Sequence, residues 1–368
     1  MIKISIVFII SVALAAASQM NTDYLRQNGH PYRFRDDLPF ALLAIVLILF
    51  AGLRTSYNDT EVYMAAFRRA KGVAAFLSDP NHLAIGENPL FYLLFNLLRE
   101  FTAEPQVMIF LTSVFVQICY LRFIKLYSDN FLLSVVIYFA LGTFATTLAI
   151  IKQSMAVAVF TLGFRFLLEK KWIRYYLTVL IAMGFHSFAL VFAVLPLFAR
   201  KPWGVFTFAF MGCAFLVLQN FQDALVEFST QADNLGLDVS MTEMTHEHTV
   251  NPLRVAVYAV TPLFSLFFAR YINRENTGVD NMLIHMSIIS LAAMMMGTQS
   301  GANIFARMAH YFELGTVCCL PGMLKKPFVV SSHRLIVTIA ILCFMGFFAY
   351  GSKGFDEQYM AIGLLGMF

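Results

Sequence analysis

Two uninterrupted apolar runs, Leu38–Leu53 and Phe131–Ile151, constrain this chain more than any other feature. Uncharged stretches of that length cross, or nearly cross, a hydrocarbon layer. In lipid the backbone must satisfy its own hydrogen bonds, which leaves helices or a closed barrel. Barrel strands alternate apolar and polar residues over short segments. These runs do not alternate, so helices follow. Composition agrees: 59% of the 368 residues are hydrophobic, 13% are charged, and Phe occurs 39 times. A soluble domain is about half apolar and a quarter charged, and could not hide this much apolar surface. The fold class read from the sequence is all-α, a polytopic transmembrane bundle.

Apolar stretches lie at roughly 3–20, 38–54, 105–121, 131–151, 153–169, 172–185, 187–199, 203–219, 254–272, 281–298, 304–324 and 334–351. Several fall short of the ~20 residues a full crossing takes, so about twelve spans are expected, some tilted, broken or paired. Residues 88–101 are apolar but short and precede Glu104 and Pro105, which suits a re-entrant or interfacial helix. Met1–Gln19 carries one Lys, an apolar stretch and the small residues Ala15, Ala16, Ala17 and Ser18. It reads as a first transmembrane helix, because the next loop is basic; a signal peptide is the alternative. The five cysteines all lie in apolar runs without zinc-ligand spacing. No internal repeat or low-complexity stretch is visible, so residues 1–368 read as one membrane domain with no cofactor and no bound metal.

Placing the basic loop 21–37 in the cytoplasm and alternating puts 16 of the 26 Lys and Arg in short cytoplasmic segments, as the positive-inside rule requires. The net charge of +4 is then a topology signal and not a nucleic-acid one. Two sizeable segments fall on the outer side: 54–104, which is mixed, and 221–252, which is acidic. The rule leaves Arg54, Lys152 and Arg307 unexplained, at the ends of apolar runs on the outer side. A cation near the bilayer costs about 2.5–3.5 kcal/mol on insertion scales, so such residues are functional candidates by default.

Five constellations carry chemistry. After Arg54 come Asn58, Asp59 and Tyr63; Asn58 or Asp59 can cap the following helix. Asp59-Thr60-Glu61 also has the D-x-E form of a divalent-metal site, a weak signal from one triplet. Asn88-Pro89-Leu90-Phe91-Tyr92 suits an interfacial belt, and its rings could also line a sugar site. Lys152-Gln153-Ser154 separates two apolar runs, where the ammonium either snorkels or meets a phosphate. His186 interrupts an apolar stretch, 172–199, as a hydrogen-bonded structural group or as a general base. On a helix, Asn303, Arg307, His310 and Tyr311 would share one face and line a polar cavity, a packed polar network being the alternative. His246 and His248 lack a further ligand at defined spacing and read as loop chemistry.

In order along the chain, these pieces resemble the EpsG-like family of bacterial exopolysaccharide polymerases, relatives of the Wzy polymerases. The resemblance rests on Arg54, the turn Asn58-Asp59-Thr60 and Tyr63; on Pro89–Tyr92; on Lys152-Gln153-Ser154; on His186-Ser187; and on Arg307, Tyr311-Phe312 and Pro321. It covers roughly residues 40–325. Two positions depart from the pattern: Lys152 stands where the family usually has Arg, losing a bidentate phosphate contact, and Asn58 stands where Thr is common. The resemblance implies a glycosyltransferase that joins oligosaccharide repeat units carried on a polyprenyl diphosphate, facing outward from the bacterial cytoplasmic membrane. A flippase and a chain-length regulator would act beside it. It implies that Arg54, Lys152, Gln153, Arg307, Tyr63 and Tyr311 bind substrate, and that His186, with Asp59 second, takes the acceptor's proton. Two other classes stay open: a transporter or flippase of lipid-linked sugars, and a glycan acyltransferase with His186 as base.

Overall fold

A computed structural model gives the architecture. It describes residues 2–220, 250–299 and 303–362, with positions 227, 230, 231 and 234. The chain is helical almost throughout. Its first half comprises α1 (Ile2–Gln27), α2 (Leu38–Gly52), a short strand β1 (Arg54–Ser56), α3 (Thr60–Arg69), α4 (Val73–Leu77), α5 (Pro89–Arg99), α6 (Pro105–Tyr127), α7 (Phe131–Ala140), α8 (Thr143–Ala149), α9 (Ile151–Leu168) and α10 (Trp172–Phe185). A 3-10 stretch, Ser187–Phe198, follows. Then come α11 (Val205–Gln219), α12 (Pro252–Phe267), α13 (Ala269–Glu275), α14 (Gly278–Met296), α15 (Asn303–Ala309), α16 (Glu313–Met323), α17 (His333–Gly351), α18 (Phe355–Gln358) and β2 (Met360–Ala361).

Helix starts are chemically marked. Asp37, Glu104, Asn130 and Asn251 each accept a backbone N–H of the first turn, and Thr277 with Asp280 forms a capping box. These contacts satisfy donors that have no partner inside the helix. One contiguous core of buried side chains runs from Ile4 to Tyr359. Within it α2 packs on α1 and α6, α9 on α6 and α10, and α14 on α12, α15 and α16.

The expected twelve spans are not all present as crossing helices. Among the described residues five helical stretches are long and apolar enough to cross a membrane: Ile2–Gln27, Pro105–Tyr127, Ile151–Leu168, Gly278–Met296 and Val330–Gly351. Counting two bent pairs makes seven, and five shorter apolar helices accompany them. The difference comes from breaks inside the apolar runs. Run 131–151 bends by 54° between α7 and α8, where Gly142 adopts φ 79, a conformation open to glycine at little cost. Run 254–272 bends by 80° between α12 and α13. Run 304–324 breaks between α15 and α16, and run 172–199 breaks at His186, beyond which the chain tightens into twelve 3-10 residues. Such a length is uncommon for this geometry and often accompanies a functional break.

Segment 54–104 holds β1, α3, α4, two 3-10 turns and α5, the last being the short apolar helix expected there. Most of segment 221–252, including His246 and His248, lies outside the described residues, as does the side chain of Asn303. The fifteen residues of α2 separate its two ends by about 22 Å at 1.5 Å per residue. Asp37 caps one end; Arg54 and the turn before α3 follow the other.

Candidate active site

At the Arg54 end the chain makes a small ribbon. β1 pairs antiparallel with β2, Arg54 opposite Ala361 and Ser56 opposite Met360. Gln106 on α6 donates to the carbonyls of Gly52 (2.6 Å) and Arg54 (3.0 Å), pinning the exit of α2. The turn that follows passes through Asn58 at φ 46, a left-handed conformation that Asn tolerates better than most residues. Asp59 then stands at the N-cap of α3, but its side chain does not cap that helix.

This turn forms one wall of a cavity of about 320 Å³. Asp59, Val62 and Tyr63 reach it from the turn and α3, Asn88 and Tyr92 from α5, Ile150, Lys152 and Gln153 from the start of α9, His186 and Ser187 from the break after α10, and Arg307, Met308 and Tyr311 from the α15 end. Side chains as far apart in sequence as Asp59 and Tyr311 therefore share one space of the size typical for small-ligand sites, roughly 300–1,000 Å³.

Each wall is tied to another. Asn88 sits in the left-handed region (φ 54, ψ 59) and its Oδ1 accepts the Ser187 amide at 2.9 Å, holding the His186 break against α5. Gly184 admits this approach, since a Cβ there would lie 2.5 Å from Cγ of Leu90. Gln153 donates to the Arg307 carbonyl at 2.8 Å, fixing the end of α15 to the start of α9. His186 Nδ1 and the Tyr311 hydroxyl are 2.7 Å apart. Tyr63 packs edge-on against Phe91, and the Lys152 ammonium lies 5.6 Å from the centre of the Tyr92 ring. Among the described residues Lys152 makes no ion pair. Ile150, Lys152 and Gln153 at the N-terminus of α9 line the same cavity, and the positive end of that helix dipole lies there with them.

Seven of the eight residues named from sequence line this cavity: Asp59, Tyr63, Lys152, Gln153, His186, Arg307 and Tyr311. Arg54 does not. Its guanidinium is 1% exposed, donating to Thr60 Oγ1 (3.1 Å), Ser113 Oγ (3.1 Å) and the Ala51 carbonyl. It braces the turn from beneath instead of reaching a ligand. The D-x-E reading also changes, because Asp59 lines this cavity while Glu61 opens on another beside Arg68 and Glu104. The two carboxylates diverge and do not form one chelate. The single polar face expected of Arg307, His310 and Tyr311 is split as well. α15 ends at Ala309, and the turn that follows sends His310 to a second cavity while Arg307 and Tyr311 stay in the first.

Two residues and one contact were not expected from sequence. Asn88 works through its contact with Ser187, 99 residues away, which no local pattern announces. Arg254 and Glu313 belong to the second cavity and its floor. Glu313 did carry a signal: it is the only Asp or Glu between Asp280 and Asp356.

The architecture defines an integral-membrane α-helical protein with a cation-lined cavity at one end of its bundle. A family model described as the EpsG family matches residues 37–361, and the chain belongs to that family, one of Wzy-type polysaccharide polymerases. No curated protein and no solved structure matches the chain.

Proposed function

We propose that the protein joins oligosaccharide repeat units carried on a polyprenyl diphosphate, acting at the outer face of the bacterial cytoplasmic membrane. One observation carries this reading: Lys152, at the N-terminus of α9, and Arg307, about 155 residues further on, converge on a single cavity. Breaking the bond between an anomeric carbon and a diphosphate builds negative charge on the leaving oxygens. Fixed cations and amide dipoles aimed at that charge lower the barrier, removal of one such donor costing about 10²–10³ in rate. The aromatic rings of Tyr63 and Tyr92 beside them suit the first sugar.

In this reading His186 serves the leaving diphosphate: with the Tyr311 hydroxyl, 2.7 Å away, donating to Nδ1, the ring hydrogen sits on Nε2 and is available to the diphosphate. Asp59, on the opposite wall, is the carboxylate of this cavity that can take a proton from the attacking hydroxyl. The transporter reading needs a polar path through the bundle, whereas the buried face of α2 between its ends is Leu43, Ala44, Leu47, Phe50 and Ala51.

The test is incubation of the purified protein with lipid diphosphate-linked repeat units extracted from cells that lack it. A ladder of longer lipid-linked glycans is expected, unchanged by chelator. Absence of elongation by a folded protein contradicts the proposal; chelator sensitivity would instead bring a metal to Asp59.

A further inference from the structure

A second cavity, of about 380 Å³, lies directly behind the first. Three segments form the partition. Asp59 faces the first cavity while Tyr57 and Asn58 face the second; Ile150 faces the first and Ala149 the second; Arg307, Met308 and Tyr311 face the first and His310 the second. Neighbouring residues on one chain are 3.8 Å apart at Cα, so the two spaces are separated by little more than a backbone.

The chemistry of the second cavity differs from that of the first. Its rings include Tyr57, Tyr350 and Phe355 beside Phe139, Phe347 and Phe348, and its polar groups include Asn58, Asn251, Arg254, Lys353 and His310, with no carboxylate among the described residues of its lining. Aromatic faces interleaved with hydrogen-bonding side chains suit the alternating apolar faces and hydroxyls of a sugar ring. His310 is held for one purpose. Its Nδ1 lies 2.6 Å from Oε1 of Glu313, which is fully buried and also accepts the Tyr258 hydroxyl. With Nδ1 donating to that oxygen, Nε2 is left as an acceptor for a group in the cavity. Arg254 lies over the Tyr258 ring, and among the described residues neither it nor Lys353 has an ion-pair partner.

We infer that the second cavity is the acceptor subsite: it holds the non-reducing end of the incoming glycan, with His310 Nε2 accepting a hydrogen bond from a sugar hydroxyl. This rests on the polymerase reading above and divides its two substrates between two spaces. The first cavity takes the diphosphate end of the donor and the second takes the saccharide of the acceptor, their reacting atoms meeting over the Tyr57–Asp59 turn.

The experiment uses the full-length protein in lipid nanodiscs, donor lipid-linked repeat unit at saturation, and as acceptor the free repeat unit released by mild acid. That saccharide lacks a diphosphate, so it can accept but not donate. His310→Ala is expected to raise the acceptor KM at least tenfold and leave the donor KM within threefold. Thr146→Phe fills the cavity from its partly exposed wall and is expected to do the same. It keeps the test open should His310→Ala, which strands Glu313, fail to fold. If the wild type does not elongate at all, the polymerase reading falls. If it elongates and a folded variant shows an unchanged acceptor KM, or if undecaprenyl diphosphate and not the saccharide is displaced by Thr146→Phe, the acceptor subsite falls alone.

Discussion

Cations are held in different ways near the two ends of α2. At the Asp37 end, Lys125 lies 3.2 Å from the Asp37 carboxylate, 2.5 Å from Ser18 Oγ and over the rings of Tyr32 and Phe131. Both partners are almost fully buried. Burial alone would raise the Asp37 carboxyl, but the Ser18 hydroxyl, the Lys125 charge, the Phe40 amide and the Tyr32 hydroxyl together hold it below its ordinary 3.8. That network is closed. At the other end Lys152 and Arg307 line an open cavity, with one carboxylate, Asp59, among its described lining residues. A charge that is matched by the protein stabilises the fold. A charge that lines a cavity is within reach of a ligand as well, and its retention there is the mark of a site.

Substitutions that separate these roles give the largest effects first. Lys125→Met leaves Asp37 buried without its counter-charge and should lower stability by about 3–5 kcal/mol, read as a fall in melting temperature, while elongation per folded molecule is retained. Arg307→Ala and Lys152→Ala should act on the other readout: elongation per folded molecule falls by about 10²–10³. Equal effects of Lys125→Met and Arg307→Ala on both readouts would erase the distinction.

Arg54 tests the boundary between the two kinds of cation. It belongs by position to the cavity end and by contact to the closed kind. Arg54→Ala should therefore cost about 1–3 kcal/mol for each acceptor left unsatisfied. Donor KM measured below the melting transition should change little; a tenfold rise there would return Arg54 to the ligand. The smallest expected effect is that of Gly142→Ala. A Cβ at Gly142 meets no atom within 4 Å, so only the left-handed backbone matters, at about 1–2 kcal/mol, with acceptor KM rising if the α7–α8 bend moves.

The sequence announced what interruption of an apolar run can announce. Lys152, His186 and Arg307 stand out because each breaks a hydrophobic pattern, and all three meet in one cavity. The direction of a side chain at a break is set by partners far along the chain, and those are invisible to periodicity. Arg54 turns inward because Ser113, 59 residues on, receives it. His186 and His310 look alike in sequence, yet the first meets the Tyr311 hydroxyl and the second the Glu313 carboxyl. The number of crossing helices is hard to read for a related reason: apolar length does not say where a helix stops, and the stops at Gly142, His186 and His310 border the two cavities.

The central claim is that Lys152 and Arg307 are held for a diphosphate. It is tested most directly by thermal unfolding of the detergent-solubilised protein with and without undecaprenyl diphosphate, since a ligand that binds only the folded state raises the melting temperature. The account predicts a clear rise for the wild type, an equal rise for Lys125→Met from its lower starting point, and little or none for Lys152→Ala and Arg307→Ala. An undiminished rise in both cavity variants would contradict it.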